Sequence, residues 1–561
     1  MQFKQELRNY LLIIIIGAIL FFPMLGNVNL FDWDEINFAE AAREMIATGD
    51  YLTVRIDYAP FHEKPPLFFW MQVAAMKIFG INEFASRLPN ALIGILSLLL
   101  IYSIGRKLFD YRFGFIWVLA YTGSVLPFFY FKSGIIDPLF NLFIFASIYY
   151  LSEYYFLYLN STAQKLIALN KDIIFAGLLI SLAVMTKGPV AYLITALVFI
   201  VFWFFSRKQA RFPFISFMLF SVIVILIPVL WYLLISYKFG GNLVNDFLLY
   251  QLRLFTTQDA GHGGPFYYHF VILLFGCFPA SAFVFRAFRK NTANTLKQEH
   301  FRKWAIILLC VVLVLFSIVS TKIVHYSSIA YFPLTFLAAY VIYSLVFRDM
   351  RWKATTSWLL GIIGITLAVL LAALPLLLMN INIFLPKVSD KFTLALLKSD
   401  VVWGGSEYLT GVFYFISVII VLFLFYKRSV LAGSITLFSA TALALFVFLP
   451  SVAPKIEQYT QGVPIEFYKS LQGKDCYVQV LGYKSYAHYF YGQKSLQNSA
   501  FYKKMKPDKF EEWLINGDID KTAYFVCKNT SAEQYLIHKQ LQTLYTKNGF
   551  VFMKREVNKL H

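Results

Sequence analysis

Apolar runs of about 20 residues recur from residue 10 to residue 449, and few features restrict a chain's fold more. That length spans about 30 Å of hydrocarbon, where every backbone amide must be bonded within its own helix. About thirteen runs meet the description: 10–28, 90–104, 113–131, 137–157, 173–186, 190–205, 212–237, 266–285, 304–319, 328–346, 357–379, 409–426 and 430–449. The fifth and sixth can also be read as one broken helix. With 59% hydrophobic and only 14% charged residues, the chain lies far from the soluble balance. The expected fold is a polytopic α-helical membrane protein with about thirteen transmembrane helices.

Positive charge supplies the orientation. Arg106, Lys107 and Arg112, then Arg207, Lys208 and Arg211, then six cations between Arg286 and Lys303, fall in alternate gaps between runs. Lys and Arg near helix ends are retained in the cytoplasm, so the N-terminus is expected inside. The net charge of +19 is therefore largely an orientation signal and implies no nucleic-acid partner. No small-residue cleavage site follows the first run, which reads as a span and not as a signal peptide.

Two domains are expected: 1–450, spanning the membrane, and 451–561, outside the cytoplasm. Within the first, residues 29–89 form a long outer loop in which 38–45 and 66–79 read as helices lying along the interface. The tail reads as a small α/β module, with strands at 476–483, 523–527 and 550–554 and helices at 507–515 and 531–541. Ser531, Glu533 and Gln534 open the last of these as a capping box. Cys476 and Cys527 could pair in an oxidising compartment, or be two buried strand cysteines.

Ionisable groups close to hydrocarbon are costly and usually face a cavity or pathway. Here they gather at the outer ends of the runs: Asp34 and Glu35, Glu63 and Lys64, Asp137, Lys187, Arg253, His262, and Lys322 with His325 and Tyr326. Each has a bland alternative. A loop acid can be merely solvated, Lys187 can snorkel from a helix end, and Glu63 and Lys64 can be a simple ion pair. His262, among glycines and beside Tyr267 and Tyr268, fits a lid or an aromatic belt. Lys322 is harder to dismiss, because a lysine at an outer helix start opposes the orientation rule, and a bound anion would explain it. Lysines and arginines at this depth suit a lipid phosphate. No phosphate-cradling glycine loop or metal-ligand spacing occurs. No cofactor is expected, and a divalent metal is not indicated.

The segments Phe31-Asp32-Trp33-Asp34-Glu35, Ala39-Glu40 with Arg43-Glu44-Met45, Thr48-Gly49-Asp50-Tyr51 and Glu63-Lys64-Pro65-Pro66 with Trp70 resemble the bacterial lipid A aminoarabinose transferases and their protein O-mannosyltransferase relatives. The resemblance extends through Asp137-Pro138 and Thr186-Lys187-Gly188, and more loosely to Tyr326. It implies a GT-C fold and an inverting glycosyltransferase that moves a sugar, such as an amino sugar, from a polyprenyl phosphate to an acceptor outside the cytoplasm. It further implies that Asp34 is the main catalytic acid and Asp137 a second one. By the same resemblance Glu63 and Lys64 stand beside the carrier phosphate, and Arg253, Lys322, His325 and Tyr326 lie in phosphate-contacting regions. Glu35, Lys187 and His262 are supporting residues. After Lys322 the chain departs from the family pattern, reading Ile323-Val324-His325-Tyr326-Ser327-Ser328, which leaves the acceptor open.

The first expectation is transfer to lipid A or a related envelope glycolipid in the bacterial inner membrane, with a protein acceptor as the alternative. A lipid or ion transporter is the reading from another class. It would distribute charge through the bilayer depth, with broken helices in repeated halves, whereas here the charge is stacked at one face and no repeat is found.

Overall fold

The computed structural model describes residues 2–61, 63–161, 170–239, 249, 253, 263–289, 292–348 and 350–557. The chain is a multi-pass helical membrane protein with a small sheet near its C-terminus. Among the described residues, eight helices are long and apolar enough to cross a membrane, from Glu83–Leu108 to Val430–Tyr459. The first run lies on Gln2–Phe21, a 20-residue helix whose first turns are charged, and the other remaining runs are helical but shorter or interrupted. The run at 113–131 divides into Tyr111–Thr122 and Val125–Tyr130, and that at 266–285 into Tyr268–Gly276 and Ala280–Val284. The fifth and sixth runs are separate helices, Lys171–Lys187 and Val190–Ser206, joined through Gly188 and Pro189. Gly188 has φ +101, a conformation that glycine adopts readily because it has no Cβ.

The tail carries a four-stranded sheet in the order Tyr477–Leu481, Ala523–Lys528, Phe550–Arg555, Gln542–Lys547. Its first pair is parallel and the others antiparallel. Gln542–Lys547 is a strand that the sequence reading missed. Its signal was Asn548-Gly549, both with positive φ, linking Lys547 to its partner Phe550 in a two-residue hairpin. The expected helix at 531–541 shrinks to Glu533–Leu536, and its capping box does not form: the Ser531 hydroxyl donates to the Lys528 carbonyl instead. Cys476 and Cys527 are free and buried. With Tyr477 opposite Ala523 and Leu481 opposite Cys527, the thiols lie near opposite ends of the strand pair, about 16 Å apart and too far to bridge.

The compositional shift near residue 450 falls inside the continuous helix Val430–Tyr459. The helix Asp34–Thr48 does not lie open on an interface, because every residue from Glu35 to Met45 is buried. Glu40 and Arg43 form a bidentate ion pair at 2.7 Å within it. Arg43 and Tyr58 both donate to the Lys494 carbonyl, so the tail covers this helix. Glu44, buried beside Glu40, is held well above the ordinary carboxylate range by desolvation and that like charge.

Candidate active site

Three helix ends, one of them the start of the covered helix, meet a short helix. Asp34 is the first residue of Asp34–Thr48, and Asp137 the first of Asp137–Asn160. A helix N-terminus favours an ionised carboxylate. Lys187 is the last residue of Lys171–Lys187, where the same macrodipole favours a cation. The 3-10 helix Val324–Ala330 brings in His325 and Tyr326.

His325 stands between the two acids, with Nε2 at 3.4 Å from an Asp34 oxygen and 3.8 Å from an Asp137 oxygen. Lys187 pairs with the other Asp137 oxygen, and its ammonium lies 4.9 Å from the centre of the Tyr326 ring. The Asp137 side chain is only 4% exposed and that of Asp34 44%, so Asp34 keeps an open face. Lys64 belongs to the same electrostatic neighbourhood. Desolvation draws its ammonium below the ordinary lysine value and Lys187 adds to the effect, against Glu63, Asp34 and Asp137. Asp34, Glu63, Lys64, Asp137, Lys187, His325 and Tyr326 are thus gathered from five separate stretches of sequence.

Glu35 does not reach outward. It is buried, with one oxygen accepting from Arg87 Nε at 2.7 Å and from the Gly134 amide at 2.6 Å. The other accepts from Arg87 Nη2 and the Phe31 amide, each at 2.8 Å. Arg87 gives its remaining protons to the carbonyls of Leu25, Val28 and Asn29. Gly134 is needed here, since a Cβ would meet Glu35 and the Ser86 carbonyl at 3.1–3.3 Å. Asn90 fixes the same loop through the carbonyls of Ser133 and Ile135, both at 2.6 Å. This Glu35–Arg87 tie sets the segment before Asp34 against the segment before Asp137.

The tail holds the other side of Asp34. Asp32 accepts from the Trp33 and Tyr486 amides, both at 3.0 Å, while Gln461 exchanges hydrogen bonds with the Asp32 amide and the Leu30 carbonyl. Between them Trp33 has φ 82, a conformation costing a non-glycine residue about 1–3 kcal/mol and kept only where its surroundings impose it. His325 is steadied as well. Its carbonyl accepts from Ser328, whose hydroxyl accepts from Asn141 at 2.8 Å and from Tyr130.

Lys322 departs from the expectation of a bound anion. Its ammonium donates to the carbonyls of Phe316, Ser317 and Val319 at 2.9, 2.7 and 2.5 Å, capping the end of Leu296–Ile318. All three protons are committed, which explains a lysine at an outer helix start without a ligand. Substituting Lys322 by Met is expected to destabilise the protein by about 1–3 kcal/mol through orphaned carbonyls. Melting in detergent checks this, and donor KM should stay near the parent value. Arg253 is exposed. Most of the residues around it, with His62 and His262, lie outside the described residues. Among the described residues no group of three His, Cys, Asp or Glu is placed to hold a metal ion.

The family model for dolichyl-phosphate-mannose-protein mannosyltransferases matches residues 63–232. An undecaprenyl phosphate-α-4-amino-4-deoxy-L-arabinose arabinosyl transferase of Edwardsiella ictaluri is 27% identical over 360 residues, 63% of each chain. The transferase of the same name from Pectobacterium atrosepticum is 27% identical over 382 residues, 66% of each chain. The chain thus aligns with just under two thirds of those relatives' lengths. Among solved structures, ArnT of Cupriavidus metallidurans bound to undecaprenyl phosphate superposes with a TM-score of 0.75 over 97% of both chains at 17% identity. Its apo form gives 0.74 at 18%. At such identity the likeness is one of fold, and it runs the full length of the bundle and the sheet. The chain is thus similar to the dolichyl-phosphate-mannose-protein mannosyltransferases over residues 63–232 and to the aminoarabinose transferases over about two thirds of its length, and it has the fold seen in ArnT.

Proposed function

We propose that this protein is an inverting glycosyltransferase that moves a sugar from a polyprenyl phosphate to lipid A or a related envelope glycolipid, at the outer side of a bacterial inner membrane. The observation that carries the reading is the convergence of Asp34, Asp137, His325, Lys187 and Lys64, with Asp34 alone open on one face. The acceptor oxygen attacks the anomeric carbon, the bond from that carbon to the carrier phosphate oxygen breaks, and polyprenyl phosphate leaves with the electron pair. Lys64 neutralises the departing phosphate, and Glu63 orients it. Asp34 either takes a proton from an acceptor hydroxyl or, for an ionised phosphate acceptor, positions the sugar and balances charge growing on its ring. Asp137, nearly buried and held by Lys187, positions the acceptor or sugar from the second side.

The names of the relatives support an amino sugar on undecaprenyl phosphate as the donor. The mannosyltransferase family match supports a protein acceptor as the second reading. The alternating cations support a cytoplasmic N-terminus, with residues 451–561 as an outer domain packed on the helix that carries Asp34. Mass spectrometry of lipid A and of envelope glycoproteins from a deletion strain and its parent separates the two acceptors. A sugar missing from lipid A alone is the expected result, and no change in either class would refute both readings.

A further inference from the structure

A second cavity touches the acidic cluster from another direction. It measures about 320 Å³ and lies between the stretch after the first helix, the Val125–Tyr130 turn and the outer end of Val430–Tyr459. Its walls are mostly apolar, including Met24, Phe31, Phe129 and Phe446, with Lys132 and His325 among them. Asp34, Asp137, Lys64 and Lys187 do not line it, so it joins the reaction site at His325 and is separate from the Lys64 side.

Lys132 is the notable feature. Its ammonium donates to the Pro23 carbonyl at 3.0 Å and lies 5.5 and 5.9 Å from the ring centres of Phe446 and Phe128. Among the described residues no carboxylate pairs with it. Arg87, the other cation on this wall, has given its protons to Glu35 and three carbonyls. Burial without a counter-charge pulls the lysine down to about 8. A cation in an apolar cavity at the bilayer surface is complementary to an anionic head group carrying hydrocarbon.

Inversion adds a geometric demand: nucleophile and leaving group must stand on opposite faces of the anomeric carbon. Two phosphate-bearing lipids therefore need two approaches and two cationic positions. We propose that the cavity beside His325 receives the acceptor, an acylated glycolipid phosphate, with Lys132 pairing its phosphate and the apolar wall taking the start of an acyl chain. This rests on the glycolipid reading above, and Lys132 is a specificity residue for that acceptor.

The test uses the full-length protein in phosphatidylcholine nanodiscs. Lys132→Met is expected to raise KM for bisphosphorylated lipid A about tenfold or more, with kcat and donor KM within about twofold of the parent. Lys132→Arg should restore most of the loss. Without donor, bisphosphorylated lipid A should raise the parent's melting temperature more than its dephosphorylated form, and Lys132→Met should erase the difference. Unchanged acceptor KM in Lys132→Met overturns the proposal, as does an equal melting shift from phosphatidylglycerol at the same mole fraction, which would make the cavity a bulk phospholipid site. A parent protein that modifies proteins and not lipid A refutes the glycolipid reading itself, whatever Lys132 does.

Discussion

Replacing Asp34 with Asn lowers sugar transfer by about a thousandfold or more, while the variant purifies and melts like the parent. The two halves of this expectation have separate grounds. The Asp34 side chain is 44% exposed and stands 3.4 Å from His325 Nε2, beyond a strong hydrogen bond. An amide of the same shape therefore costs the fold little. Chemically the substitution removes the carboxylate that is open beside His325, since Asp137 is only 4% exposed. If the acceptor is a hydroxyl, no base remains to take its proton; if it is a phosphate, no negative charge faces the sugar ring as the anomeric bond breaks. Substantial residual transfer by Asp34→Asn, at unchanged protein yield, would sink the assignment.

The second large effect is expected at Arg87, which touches no substrate. Arg87→Ala leaves Glu35 as a buried carboxylate without a cation, and losing one partner of a buried pair costs about 3–5 kcal/mol. The carbonyls of Leu25, Val28 and Asn29 lose their donor in the same step. Because Glu35 also accepts from Gly134, three residues before Asp137, the two acids lose their common frame and activity falls with stability. Arg87→Lys cannot rescue it, since a single ammonium does not reproduce the two-pronged contact. Thermal melting in detergent and the transfer rate on the same preparation check both parts. Full activity in a strongly destabilised Arg87→Ala protein would contradict a positioning role for the pair.

Much of the site could be read from residues alone because its members are ionisable groups at the ends of apolar runs, where the membrane makes charge conspicuous. Asp34, Lys64, Asp137, Lys187 and His325 were all visible in this way, and the structure brings them to one place. What sequence could not supply is distance between segments. Arg87 is one example, since its partner Glu35 is 52 residues away. The clamp on Asp32 joins residues 454 apart, so no local pattern signals that the tail holds the loop before Asp34. Glu40 and Arg43 at helical spacing fit a helix lying along the interface, whereas tertiary contact with the tail buries them as a pair. Lys322 was misread for a related reason: helix-end carbonyls are acceptors that side-chain chemistry does not advertise. The strand Gln542–Lys547 is different, because Asn548-Gly549 marks its hairpin turn in the sequence itself.

One reaction tests the proposed activity most directly. Purified protein in nanodiscs is given a polyprenyl phosphate-linked aminoarabinose and lipid A, and both products are followed by mass spectrometry with the anomeric configuration read by NMR. The expected result is one polyprenyl phosphate released per sugar transferred, inversion at the anomeric carbon, and loss of both products with Asp34→Asn. Release of polyprenyl phosphate without transfer, retention of configuration, or equal turnover by Asp34→Asn would contradict it.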